Sequence, residues 1–281
     1  FSFKNNQAIT TETGGTRKNK VAVLLAVPVL IKYCKIVNAP NDTNITCQLI
    51  ESIKLREKLI NDFSNKKVLV VGSSKGIGKE AFLTFKSLGA DVFGISRSEG
   101  IDISKKADID KFFKKMSSID FLINVAGINF CKKIEDISFE EWDNVLNTNL
   151  RSFFYIIKKS IPLMKSGGRI VNVSSIAGRN KSIVSGVHYT SSKAGIIGLT
   201  RQLAHELGPK GINVNCTCPS QTLTPMLSES MTEKQLSKLS ESIPLSRVAN
   251  VKEQVGPIIF LCSSLSSYLN GCIIDVNGGQ I

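Results

Sequence analysis

Tyr189 and Lys193 stand four residues apart in the run Tyr189-Thr190-Ser191-Ser192-Lys193. On a helix this spacing puts both side chains on one face, where an ammonium can lie against a phenol and stabilise its ionised form. The expected product is a phenol that exchanges its proton near neutral pH, an acid suited to a carbonyl oxygen. Upstream, Gly72-Ser73-Ser74-Lys75-Gly76-Ile77-Gly78 follows the apolar run Val68 to Val71 and opens an amphipathic pattern. Glycines at 72, 76 and 78 permit a tight turn and let backbone approach a pyrophosphate ahead of a helix N-terminus, with Ser74, Lys75 and Ile77 lining the same turn. A dinucleotide turn followed by a Tyr/Lys pair points to nicotinamide-dependent carbonyl chemistry. Lys75, and Arg97 just past the second strand, occupy places that favour a ribose 2′-phosphate, so NADP(H) is expected over NAD(H).

Positioning these residues calls for an α/β scaffold. From Lys67 onward apolar strands alternate with amphipathic helices, the pattern of a Rossmann-like, doubly wound parallel sheet covered on both faces. Strands are expected at Val68 to Val71, Asp91 to Ser96, Phe121 to Val125, Arg169 to Ser174, Val214 to Cys218 and Cys272 to Val276. Helices are expected at Gly76 to Leu88, Phe139 to Met164 (one or two) and Tyr189 to Leu207. Only a few residues separate the second strand from Ile101-Asp102-Ile103, so the crossover helix there is expected to be vestigial. Residues 1–64 read as a separate appendage and 65–281 as the main domain. The appendage carries an apolar run from Val21 to Ile31 and a helical pattern from Leu49 to Ile60.

The chain has 281 residues, 42% of them hydrophobic, and a formal net charge of +13. That is enough apolar chain for a full core. The lysines are dispersed and no nucleic-acid signature accompanies them, so an anionic cofactor or substrate is the expected partner rather than nucleic acid. Seven cysteines without a CxxC pair, and His188 and His205 as the only histidines, argue against a zinc site and a disulfide framework. A reducing, cytoplasmic setting fits. Val21 to Ile31 is too short to span a bilayer and is interrupted by Pro28, so no membrane partner is expected. The chain begins with Phe1, as a processed or fragmentary product would.

From about Lys67 to Ile281 the chain resembles a short-chain dehydrogenase/reductase. The matching motifs are Gly72-x-x-x-Gly76-Ile77-Gly78, Asn124-Val125-Ala126-Gly127, Asn147-Thr148-Asn149, Ser174-Ser175, Tyr189-x-x-x-Lys193, and Pro219 with Thr224. The resemblance implies that Tyr189 protonates the carbonyl oxygen, Ser175 hydrogen-bonds it, Lys193 lowers the phenol pKa and holds the nicotinamide ribose, and Asn149 supports a proton-relay water. It also implies that Asp102 and Ile103 border the adenine, Asn124, Ala126 and Gly127 the adenosine ribose, and Pro219, Thr222 and Thr224 the nicotinamide. A helix-mediated homodimer or homotetramer is implied as well. Ser174 competes with Ser175, since strand neighbours face opposite ways; family position selects Ser175.

Departures from the family pattern are Val71, Val125, Ser220 and Asn277, none of them at a catalytic position. The segment from Ser175 to Tyr189 is one residue longer than expected, and His188, beside Tyr189, either lines the substrate pocket or is an exposed loop residue. The segment from Gln221 to about Pro244, rich in serine, lysine and glutamate, is expected to be a loop that forms a mobile lid.

Glu12-Thr13-Gly14-Gly15-Thr16-Arg17, with Lys35-Ile36-Val37 and Asn44-Ile45-Thr46, resembles pieces of a sugar-phosphate cytidylyltransferase. Such proteins are fused in some cases to a reductase that converts ribulose 5-phosphate to ribitol 5-phosphate in CDP-ribitol synthesis. The leading expectation is therefore an NADPH-dependent reductase of a polar, phosphorylated, sugar-like ketone. Its enzymatic rival is a 3-oxoacyl-(acyl-carrier-protein) reductase, and the alternative of another class is a non-catalytic structural module.

Overall fold

The computed structural model describes residues 63–228 and 232–281. The expected appendage, with its apolar run, its helix and its cytidylyltransferase-like motif, lies outside these residues apart from Phe63 and Ser64.

Six parallel strands form one sheet in the order β2-β1-β3-β4-β5-β6. They are β1 (Lys67–Val71), β2 (Asp91–Ile95), β3 (Phe121–Asn124), β4 (Arg169–Val173), β5 (Asn213–Pro219) and β6 (Ile273–Val276). The helices are α1 (Gly76–Ser87), α2 (Lys106–Phe113), α3 (Phe139–Leu146), α4 (Ser152–Ser160), α5 (Val187–Leu207), α6 (Pro225–Ser228), α7 (Glu233–Glu241) and α8 (Val251–Cys262). The sequence order reverses at β1, which pairs with β2 on one side and β3 on the other. This reversal opens a crevice at the carboxyl ends of the strands, where open α/β sheets hold their ligands.

The alternation of side chains along a strand divides the core in two. Leu69, Val71, Leu122 and Ile170 join Ile109, Phe113, Ile156, Ile157 and Leu207 from α2, α4 and α5 on one face. Val68, Val70, Ile123, Val171 and Val173 join Phe85 of α1 and Ile258 and Leu261 of α8 on the other. Because both faces are covered, the central strands read as continuous apolar runs in the sequence.

Two expectations are corrected. The crossover after β2 is not vestigial: Ile101–Ile103 forms no strand, and α2, eight residues long, lies between it and β3. Ile109 and Phe113 bury its inner face, so packing stabilises a helix whose sequence is lysine-rich. The lid segment is largely helical in its described part. Thr232 and Gln235 make a capping box at the start of α7, satisfying N–H groups that a loop would leave to water.

Candidate active site

The spacing of Tyr189 and Lys193 acts as expected: both lie near the start of α5, and the Lys193 ammonium sits 5.5 Å from the centroid of the Tyr189 ring. Lys193 is 3% exposed and donates to the Val173 carbonyl at 2.9 Å. Burial pushes its pKa down to about 8. The expectation that the lysine lowers the phenol pKa is not met in this structure. Burial raises the Tyr189 pKa, and the opposing influence is a hydrogen bond with the Ser175 hydroxyl. A phenol held in low dielectric loses more by ionising than this one hydroxyl returns.

The two serines differ in their surroundings. Ser174, 3% exposed, donates to the Lys193 carbonyl at 2.7 Å and so fastens the end of β4 to α5. Ser175 points the other way, accepts from the Ala177 N–H at 3.1 Å and reaches Tyr189. Close packing at this junction is set by Gly178, where a Cβ would come within 2.7 Å of the Lys193 carbonyl oxygen.

Asn149 lies in a π-helical turn, Asn147–Arg151, between α3 and α4. The wider turn carries its side chain inward, as such turns often do at functional positions. Fully buried, it accepts from the Ile128 N–H at 2.8 Å and donates to the Ile128 carbonyl at 2.9 Å and to Ser192 at 3.1 Å. Ser192 in turn donates to the Tyr189 carbonyl at 2.7 Å. A Cβ on Gly127 would stand 3.4 Å from the Lys193 ammonium and 3.5 Å from Asn149 Oδ1, so Asn149, Ser175, Tyr189 and Lys193 gather around one spot.

The turn from Gly72 to Gly78 fits a dinucleotide. Gly72 has φ +92°, and its missing Cβ leaves room for Ala126, whose backbone would lie 2.8 Å away. A Cβ at Gly76 would meet Thr224 at 3.1 Å, which brings the segment after β5 against the turn. The first turn of α1 has neither an acidic residue nor a side-chain cap, leaving its N–H groups and dipole for an anion. Ser74, Lys75 and Arg97 are exposed beside it, and Ile77 is half-buried. Pro219 ends β5, and Thr222, 6% exposed, turns its hydroxyl to the Ser220 carbonyl.

Three residues expected to border the cofactor also have partners within the protein. Asn124 is fully buried and donates to Asn172, joining β3 to β4. Asp102 accepts from the backbone and hydroxyl of Ser104, closing a turn. Ile103 is buried in the core with Ile109 and Phe113. A polar or apolar side chain at a strand end is used by whichever neighbour the sheet supplies, and the sequence does not show that neighbour.

Sequence reasoning missed Glu99 and the setting of His188. Glu99 Oε2 accepts from Ser73 at 3.0 Å and Ser96 at 2.8 Å, bridging the glycine turn and the end of β2. An acidic residue thus lies two places beyond Arg97 and is tied to the glycine turn, a link between two strand ends that the sequence does not show. His188 is neither exposed nor in a loop; it is fully buried within α5. Among the described residues no cluster of metal-ligating side chains occurs, and no helix is long and apolar enough to cross a membrane. The cysteines among them, Cys131, Cys216, Cys218, Cys262 and Cys272, are all free.

Comparison with known proteins agrees with this geometry. A family model described as Enoyl-(Acyl carrier protein) reductase matches residues 71–280. The 3-oxoacyl-(acyl-carrier-protein) reductase FabG of Aquifex aeolicus is 34% identical over 243 residues, covering 76% of this chain and 97% of its own length. Dehydrogenase/reductase SDR family member 6 of Xenopus laevis is 32% identical over 236 residues, covering 76% and 96%. The ligand-free aldohexose dehydrogenase of Thermoplasma acidophilum superposes with a TM-score of 0.73 at 30% identity, over 79% of this chain and 96% of its own. With the parallel sheet, the glycine turn and the tyrosine–lysine helix in place, the chain belongs to the short-chain dehydrogenase/reductase family, the NAD(P)-dependent oxidoreductases of this fold.

Proposed function

We propose that the chain reduces a ketone to a secondary alcohol with NADPH, Tyr189 giving the proton. The observation that carries this reading is the Tyr189 phenol, kept protonated by burial, linked to Ser175 and backed by Lys193. A phenol with a raised pKa arrives at neutral pH loaded with its proton, the state that reduction needs; oxidation would need it ionised. When bound, NADPH supplies the hydride. The Ser175 hydroxyl donates to the substrate oxygen and orients it toward Tyr189. As the proton leaves, the buried Lys193 ammonium offsets the charge left on the phenolate. Asn149 holds the Ile128 backbone and Ser192 in place and supports a water that returns the proton to Lys193 and Tyr189.

Lys75 and Arg97 support NADPH over NADH, because both are exposed cations, one in the glycine turn and one just past β2, where a ribose 2′-phosphate would lie. The Glu99 carboxylate opposes them. Lys75→Ala with Arg97→Ala is expected to raise KM for NADPH by a factor on the order of 10 to 100, as the loss of charge-assisted hydrogen bonds predicts. KM for NADH should change little. Steady-state kinetics with both cofactors checks this, and an equal rise for both would sink the assignment.

Two segments flanking Tyr189 support an acyl substrate. Asn129 donates to the Val184 carbonyl and Gly186 to the Phe130 carbonyl, and these linked segments expose Phe130, Ile183 and Val187. Exposed apolar groups on segments next to Tyr189 suit a 3-oxoacyl chain, and the Aquifex aeolicus relative is named for such a substrate. A second reading, reduction of ribulose 5-phosphate, is supported by the net charge of +13, by Lys133 and Lys181 on the same segments, and by an aldohexose dehydrogenase among the structural neighbours. Loss of NADPH absorbance with acetoacetyl thioester beside ribulose 5-phosphate separates the two. Faster turnover of the thioester is expected. Preference for the sugar phosphate would reverse the substrate reading, and cofactor binding without turnover of either would favour the non-catalytic module.

A further inference from the structure

The helix that carries Tyr189 and Lys193 begins without an ordinary cap. Its N-cap is Gly186, which has no side chain to accept from the free N–H groups of the first turn. His188 supplies that acceptor from inside the helix: its Nδ1 receives the Tyr189 N–H at 2.9 Å. The two residues are coupled. A Cβ on Gly186 would come within 2.5 Å of His188 Cε1 and 2.8 Å of the Phe130 carbonyl oxygen, so a serine or aspartate cap and this imidazole exclude each other.

The ring is also held from its far side. His188 Nε2 lies 3.4 Å from Glu141 Oε1 on α3, and the other carboxylate oxygen of Glu141 pairs with Lys132. Lys132 keeps the Glu141 pKa below the usual carboxylate range. Phe130 lies against the imidazole at 6.2 Å between ring centroids. Nδ1 can accept only while it has no proton, so a neutral ring carries its hydrogen on Nε2, toward Glu141.

We propose that His188 is a positioning residue for ketone reduction, replacing the missing cap of α5 and fixing Tyr189 through its backbone N–H while Glu141 fixes the ring. This rests on Tyr189 being the proton donor. The tautomer does not depend on that reading, so it is measured as well. Asparagine places its Oδ1 where Nδ1 lies, whereas phenylalanine keeps a ring without an acceptor. His188→Phe is expected to lower kcat about tenfold with KM for NADPH unchanged, since small displacements of a reacting group are costly in rate. His188→Asn is expected to recover most of the loss, which a purely space-filling role would not predict.

The chain has two histidines, so in a His205→Gln background the side-chain nitrogen-15 spectrum reports His188 alone. The expected spectrum shows hydrogen on Nε2 and none on Nδ1. Hydrogen on Nδ1, or a phenylalanine variant with kcat within about twofold of the parent, overturns the proposal. If no ketone is turned over, the reading of Tyr189 fails, and the nitrogen spectrum still decides whether His188 caps the helix.

Discussion

Tyr189→Phe is expected to lower kcat by roughly 10²- to 10⁴-fold, the range that a positioned general acid contributes. NADPH affinity, followed by fluorescence titration, should stay close to that of the parent. The substitution removes one oxygen and keeps the ring, so the packing against Lys193, 5.5 Å from the centroid, is retained. What disappears is the only phenol proton at the spot where Ser175, Asn149 and Lys193 converge among the described residues. Turnover within tenfold of the parent would assign the proton to another group and remove the basis for calling Tyr189 the acid.

Gly78→Ala tests the other half of the molecule, and its effect falls on folding as well as on cofactor binding. A Cβ there would stand 2.0 Å from the Gly72 carbonyl oxygen and 2.8 Å from its carbon, which are backbone atoms of the turn itself. Gly72 cannot yield easily, because it holds φ +92° and is packed against Ala126. Overpacking of this kind costs about 3 kcal/mol, equivalent to a fall in Tm of roughly 6–12 °C for a domain of this size. NADPH affinity should fall with it as the turn opens. Gly198→Ala is the control: nothing lies within 4 Å of its Cβ position in α5. That change should stabilise the helix by about 0.5–1 kcal/mol. Thermal melts of the two variants give the comparison, and equal Tm values would show that the turn adapts.

The strands and the long helix were legible because they depend on local pattern. Val68 to Val71 is expected and Lys67–Val71 is found; Tyr189 to Leu207 is expected and Val187–Leu207 is found. Continuous apolar runs mark strands buried on both faces, and a period near 3.6 marks a helix, whatever lies beyond them. The glycine turn was legible for a related reason, since positive φ at Gly72 and Gly76 and close approach at Gly78 are demands that few other residues meet. Less legible was α2. Its sequence, Lys106-Ala107-Asp108-Ile109-Asp110-Lys111-Phe112-Phe113, is short and charged, and two buried side chains decide it.

By itself the sequence determined the fold class, the dinucleotide turn and the pairing of Tyr189 with Lys193, because spacing along one helix or through one turn fixes those relations. Tertiary structure alone decided what each group faces. Ser174 is turned to the backbone of α5 and Ser175 to Tyr189; Asn124 joins β3 to β4; Glu99 reaches back across β2 to Ser73. It also decided the direction of the Tyr189 pKa. Spacing predicted a phenol made more acidic by an ammonium, but burial acts on phenol and ammonium alike, raising the pKa of one and lowering that of the other. Desolvation depends on every element packed around a group, and those elements come from distant parts of the chain.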